Sequence, residues 1–167
     1  RERLINKEKD ARRKELLLEE ERKRYFGHFD SFLDKAQSGN KWLADPNVAD
    51  IVSEAIKHRD GKAYDLLAYC IMPNHVHLVV DVERSDASLY RILQSLKAYT
   101  AVKANGVLSR SGQFWQHESY DHVVRSDAEL ERIIQYVAYN PVKAGLCKDW
   151  QDWRWTYVVA RFAESLR

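Results

Sequence analysis

Along residues 1–24 acidic and basic side chains are densely mixed, with few apolar positions and no Gly or Pro. That pattern predicts a charged, solvated N-terminal helix. From Tyr25 the apolar residues Phe26, Phe29, Phe32 and Leu33 fall on roughly one helical face until Ser38, Gly39 and Asn40 interrupt them. A short amphipathic helix is predicted next: Asp45-Pro46 supplies its start, Val48, Ile51, Val52 and Ile56 its apolar face, and Gly61 its stop. From Ala63 the pattern changes to AYDLLAYCIMPNHVHLVVDV, which predicts two strands joined by a tight turn at Pro73-Asn74. A further helix carries Leu89, Ile92, Leu93 and Leu96 on its inner side and Arg91, Lys97 and Lys103 elsewhere, and ends at Asn105-Gly106. The run SYDHVVR alternates enough to predict another strand. Ser126 with Glu129 forms a capping box ahead of a helix whose buried stripe is Leu130, Ile133, Ile134 and Val137, and Pro141 is expected to disrupt or end it. The tail starts with the close tryptophans Trp150, Trp153 and Trp155 and is expected to finish as a short helix.

Helices and strands in this order predict an α+β fold with an antiparallel sheet. Three strands make a thin sheet for this much chain, and an additional strand ahead of Arg1 would complete it. The 167 residues, 45% of them hydrophobic, suit one domain spanning 1–167. Twenty-seven basic against 25 acidic residues leave a net charge of only +2, so no global positive field draws in nucleic acid and any such surface must be local. Cys70 and Cys147 lack the spacing of a zinc or redox motif. No apolar run approaches the roughly 20 residues that span a bilayer, and the charged N-terminus does not read as a secretory signal. The expectation is a soluble, cytoplasmic protein with no membrane partner.

Candidate chemistry sits in two places. His75 and His77 alternate along the second predicted strand and so share a face, opposite Val76 and Leu78. Neutral imidazoles are the commonest protein metal ligands, yet an isolated His-x-His reads more readily as two ordinary polar-face histidines. Tyr136 and Asn140 lie four apart, on one face of the capped helix. The tyrosine offers a nucleophilic oxygen and the asparagine a carbonyl ligand, but a tyrosine beside a buried stripe and an Asn before Pro are also plain packing and turn chemistry.

Taken together, MPNHVHLVV followed much later by YVAYNPVKAGL, with SLKAYTA, FWQHESYDHVVR and YFGHFDSFLDKA, resembles the REP-associated tyrosine transposases of the wider HUH (histidine, hydrophobic, histidine) endonuclease superfamily. The likeness covers nearly the whole chain. It implies a ferredoxin-like antiparallel sheet with the histidine pair on a central strand, the tyrosine helix packed beside it, and residues 63–147 as the catalytic core segment. It further implies His75, His77 and Asn140 as ligands of Mg²⁺ or Mn²⁺, and Tyr136 as the nucleophile. Single-stranded or hairpin DNA would be the partner, a 5′-phosphotyrosine the intermediate, and a monomer or homodimer the assembly. Members of that family usually open on a strand ahead of the first helix, which would precede Arg1 here. A replication or relaxase-type nickase, or a domesticated hairpin-binding module without turnover, are the alternatives.

Other residues carry weaker expectations. Tyr120, flanked by Asp121 and His122, is the rival nucleophile, although packing is its more natural role. His117 and His122 are candidates for DNA contact or loop capping, while His28 and His58 carry no functional expectation. Arg91, Lys97, Lys103, Arg125 and Lys143 are candidate phosphate contacts, with Arg12, Arg13 and Lys14 as a minor addition. Trp115, Trp150, Trp153 and Trp155 are candidates for base stacking, with core packing the stronger expectation.

Overall fold

The structure is a computed structural model that describes Arg13 and residues 39–166 except Arg84, Glu118 and Tyr120. The chain divides into two units, residues 1–38 and 39–167, and the elements below belong to the second. The helices expected over 1–24 and 25–37 lie, Arg13 apart, outside the described residues, as do Arg12, Lys14, His28 and Tyr120.

Helix α1 runs Pro46–Arg59. It starts where the sequence says, because the Asp45 carboxylate accepts from the Asn47 amide at 2.9 Å and Pro46 occupies a position that needs no N–H. Strands β1 (Asp65–Ile71) and β2 (Val76–Asp81) form the expected hairpin. Its turn is closed by the Met72 amide donating to the His75 carbonyl at 2.8 Å. Helix α2 spans Leu89–Val107, α3 spans Asp127–Lys143, and the tail contributes β3 (Thr156–Val158) and the short α4 (Ala160–Ala163).

The sheet is antiparallel with order β2-β1-β3. The α+β reading therefore holds, but the third strand does not come from where the sequence put it. Residues 119–125 take no regular structure where described. Their alternation has no buried side to serve, since Val123 is 76% exposed, and β3 is instead a three-residue strand after the tryptophans. Pro141 does not end its helix either. It sits inside α3, one turn from the end, where its missing N–H withholds a single backbone bond and the helix continues to Lys143. Among the described residues β2 pairs with β1 alone.

A register shift between Leu66 and Ala68 marks a bulge in β1, which sends the consecutive residues Leu67 and Ala68 to the same side. Leu66, Tyr69 and Ile71 face α1 and α2, packing with Val48, Val52, Ile56, Ile92 and Leu96. Leu67, Ala68, Cys70 and Met72 face the other way, against Ile134, Val137 and Ala138 of α3. β1 is thus covered on both sides, and among the described long helices α3 alone packs on the second face.

The tryptophans pack, as their stronger expectation had it. The indole N–H of Trp115 donates to Thr100 Oγ1 at 2.8 Å, that of Trp153 to the Ile71 carbonyl at 3.0 Å, and that of Trp155 to Asp50 at 2.8 Å, while Trp150 is buried. Among the described residues no helix is long and apolar enough to cross a membrane.

Because Ile134 is 1% exposed at the centre of the α3 contact, Ile134→Ala should destabilise the protein by about 2–5 kcal/mol in urea unfolding. Val123→Ala should change stability by less than about 0.5 kcal/mol.

Candidate active site

Two elements build the site. The hairpin presents His75 at its turn and His77 in β2, opposite Cys70. Strand alternation aims both imidazoles at the α3 side while Val76 and Leu78 pack with the α1–α2 core. Helix α3 is fixed at its N-terminus by Ser126, whose hydroxyl accepts from the Glu129 amide at 3.2 Å. The Glu129 carboxylate reaches back to the Arg125 amide at 2.9 Å and lies 3.0 Å from His122 Nε2. With the stripe Ile134, Val137 and Ala138 held on the sheet, Tyr136, Asn140 and Lys143 follow one another on a single line of the helix at spacings of four and three.

That line meets the histidines. His75 Nε2 and His77 Nε2 are 2.9 Å apart, and Asn140 Nδ2 is 3.0 Å from His77 Nε2. On its other side the His75 ring places Nδ1 2.7 Å from Oδ1 of Asn74. His75 is 9% exposed and Asn140 fully buried. The Tyr136 ring stands edge-on to His77, with centroids 5.6 Å apart and planes at 88°. Lys143 Nζ sits 4.3 Å from the centroid of the Tyr136 ring.

The two imidazole nitrogens are spaced to share a cation. Two nitrogens bound to one ion at about 2.1 Å each lie roughly 3 Å apart at ordinary coordination angles, close to the 2.9 Å seen between the two Nε2 atoms. Among the described residues no three His, Cys, Asp or Glu side chains gather as a metal site; an ion here would take the two imidazole nitrogens and, through its oxygen rather than the Nδ2 that faces His77, the Asn140 amide, a set with no carboxylate in it. An ion so held would keep nearly all its charge for an anionic ligand.

The remaining candidates separate. Arg91, Lys97 and Lys103 lie on α2, whose apolar face packs on the opposite side of the sheet from α3. Lys97 donates to the Gln116 carbonyl at 3.1 Å. Burial pushes its ammonium below the ordinary lysine range, against the opposing pull of Asp121. It therefore ties the segment after α2 to that helix. Arg125 precedes α3, and Lys143 lies against the tyrosine ring. His117 is exposed in a loop, and His58 Nε2 is 3.5 Å from Lys62 Nζ on the surface near the end of α1. Asn74, legible in the sequence only as a turn residue, is the member of this cluster that reading by motif passes over. Its signal was adjacency to His75 in the hairpin turn.

A Haemophilus influenzae protein assigned to the REP-associated tyrosine transposases is 29% identical over 99 residues, covering 54% of this chain and 56% of that protein. The REP-associated tyrosine transposase of Escherichia coli is 23% identical over 101 residues, covering 59% of this chain and 56% of that one. The chain therefore spans about half the length of these relatives. A solved structure of a REP-associated tyrosine transposase bound to a REP hairpin superposes with a TM-score of 0.62 at 19% identity, covering 78% of this chain and 76% of that one, which establishes the shared fold. The family model described as "Transposase IS200 like" matches residues 36–140. With both histidines, the tyrosine and the asparagine inside that match, which takes in well over half of the sequence, this chain belongs to the IS200-like transposase family.

Proposed function

We propose that the protein cleaves and rejoins single-stranded DNA next to hairpins of the REP type, with Tyr136 as nucleophile and His75, His77 and Asn140 holding Mg²⁺ or Mn²⁺. The observation that carries this reading is the meeting of the hairpin's two Nε2 atoms with Asn140, one helical turn from a tyrosine that packs on His77. The relatives named above, one of them solved on a REP hairpin, supply the substrate class.

A phosphodiester resists attack because its oxygens repel an incoming nucleophile. A divalent ion beside it supplies positive charge where negative charge grows in the transition state. The neutral donor set suits that task, since nothing in it offsets the ion's charge. Waters and phosphate oxygens would complete the coordination, as Mg²⁺ prefers. The chain's own part is positioning. Helix α3 is clamped along its buried stripe, so the Tyr136 ring is held against His77 and its hydroxyl has few other places to go. In the reaction Tyr136 Oη bonds to phosphorus as the bond from phosphorus to the 3′ oxygen breaks. The phenol loses its proton and the departing 3′ oxygen gains one. A tyrosine hydroxyl ordinarily titrates near about 10, so this proton must leave during attack. The 5′-phosphotyrosine keeps the bond energy, and a 3′-hydroxyl of another strand reverses the step without ATP. Lys143, 4.3 Å from the centre of the ring, would meet the phosphate on its way in.

Incubating the protein with a hairpin oligonucleotide and Mn²⁺ should give a covalent adduct that survives denaturing electrophoresis. Tyr136→Phe should give none while hairpin affinity stays near wild type, and Tyr120→Phe should still react. An adduct lost in Tyr120→Phe and kept in Tyr136→Phe would move the nucleophile to the preceding segment. Binding without any adduct in the wild type would favour the domesticated module.

His77→Ala should lower metal-dependent cleavage by at least about 10²-fold. Hairpin binding, which phosphate contacts sustain, should largely persist in a gel-shift assay. Parallel loss of folding and binding would reduce the histidine pair to a structural role.

A further inference from the structure

We infer that the outer ridge of α2 binds unpaired DNA at a distance from Tyr136, with Tyr99 stacking on a base and Arg59, Arg91 and Lys103 taking the phosphates. The inference rests on the reading that the substrate is DNA and adds to it a second surface, separate from the histidine cluster.

Helix α2 packs on the core through the row Ile92, Leu96, Thr100 and Ala104. One residue ahead, Arg91, Ser95, Tyr99 and Lys103 repeat at the same spacing of four and so form the neighbouring ridge, and all four are exposed. At 1.5 Å per residue that ridge runs about 18 Å, room for a few nucleotides. Arg59, in the last turn of α1, joins it from the side. Its guanidinium donates to the Ala55 carbonyl at 2.9 Å and lies 3.4 Å from Ser95 Oγ, which holds it 5.7 Å from the centre of the Tyr99 ring. The tyrosine itself is 50% exposed. A half-exposed ring set among cations suits a single strand, whose bases stack on the ring while its phosphates take the charges. Charge also selects among partners. None of the nineteen residues of α2 is acidic, and the last turn of α1 is Lys57, His58 and Arg59. On a chain with a net charge of only +2, this is the kind of local positive surface that a polyanion needs. A second copy docking by the same ridge would set Arg59, Arg91 and Lys103 against themselves. Lys97 stands off the ridge, tied to the Gln116 carbonyl. Because α2 and α3 pack on opposite faces of the sheet, nucleotides on the ridge would be remote from the scissile phosphate. Their contribution falls on the affinity for long strands rather than on bond breaking.

The probe is a single strand of about 20 thymidines, longer than the usual footprint of one single-strand site. With iodouracil in place of some bases, irradiation should crosslink the strand to Tyr99 of the wild-type protein, located by peptide mass spectrometry. This reading needs no substitution, so it stands even if a variant folds poorly. Tyr99→Ala should weaken binding of the strand roughly tenfold in fluorescence anisotropy, whereas Tyr99→Phe, which keeps the ring, should bind like wild type. Arg91→Gln combined with Lys103→Gln should make the slope of log affinity against log salt shallower by about 1.4, the share of two phosphates on a single strand. Crosslinks confined to other residues would overturn the proposal, as would strand affinity that none of these substitutions changes. An equal loss of affinity for a blunt duplex in Tyr99→Ala would also overturn it, because paired bases have no free face to stack. Self-association of the wild type that disappears in Tyr99→Ala, with strand binding unchanged, would give the ridge to a second copy instead. Strand binding through Tyr99 in a protein that forms no covalent adduct would support the surface and sink the nuclease reading alone.

Discussion

Everything at the site depends on the packing of α3 against one face of β1. Ile134, Val137 and Ala138 lock into Leu67, Ala68, Cys70 and Met72, and that contact sets the height and the rotation of the helix over the sheet. Turning the helix by one residue, about 100°, would carry Tyr136 away from His77 and Asn140 out of the interface. Burial thus does more here than stabilise: it sets the angle at which Tyr136 and Asn140 meet the histidine pair. The bulge at Leu67 takes part in this, since it turns two consecutive side chains of β1 toward α3 and widens the platform on which the helix rests.

The two halves of the site have different mechanical characters. The histidines sit on a hairpin whose turn is closed by its own backbone bond, with one imidazole nearly buried and braced by Asn74. The tyrosine stands at the rim, half-buried between His77 and the exposed Lys143. Under the proposed roles, a recessed histidine pair with a more accessible tyrosine would suit a reaction in which the tyrosine takes a large polymer and later releases it. The basic residues on α2 are a separate matter: they lie across the sheet, and Lys97 is occupied with the loop after its own helix. Any contact they make with a nucleic acid would be on another side of the molecule from the cluster around Tyr136.

The sequence made some of this legible. The hairpin showed because its two aromatic and aliphatic runs are separated by Pro73-Asn74, and the helix starts at Asp45-Pro46 and Ser126 showed because capping is local chemistry. Tyr136 and Asn140 could be paired from helical spacing, and their meeting with the histidines from the family resemblance alone. What escaped was non-local. The strand Thr156–Val158 is only three residues long and is held by its register on β1, which no local periodicity encodes. Residues 119–125 misled because alternation predicts a strand only when one side has something to bury against, and Val123 has nothing. The place of Pro141 was misjudged because a proline near a helix end removes one bond, which tertiary packing easily outweighs. Asn74 looked like turn chemistry, and its second use appears only with the His75 ring in place.

His77 and Asn140 are 63 residues apart in the chain, and between them lie the whole of α2 and its following loop. Closing a loop of that length carries a large entropy cost, met only when α3 settles on a sheet that already exists. On a ribosome the imidazoles emerge well before the helix that carries Tyr136 and Asn140. The cluster is therefore complete only once residues 127–143 have settled on the sheet, and a chain cut short ahead of α3 holds the histidine pair alone.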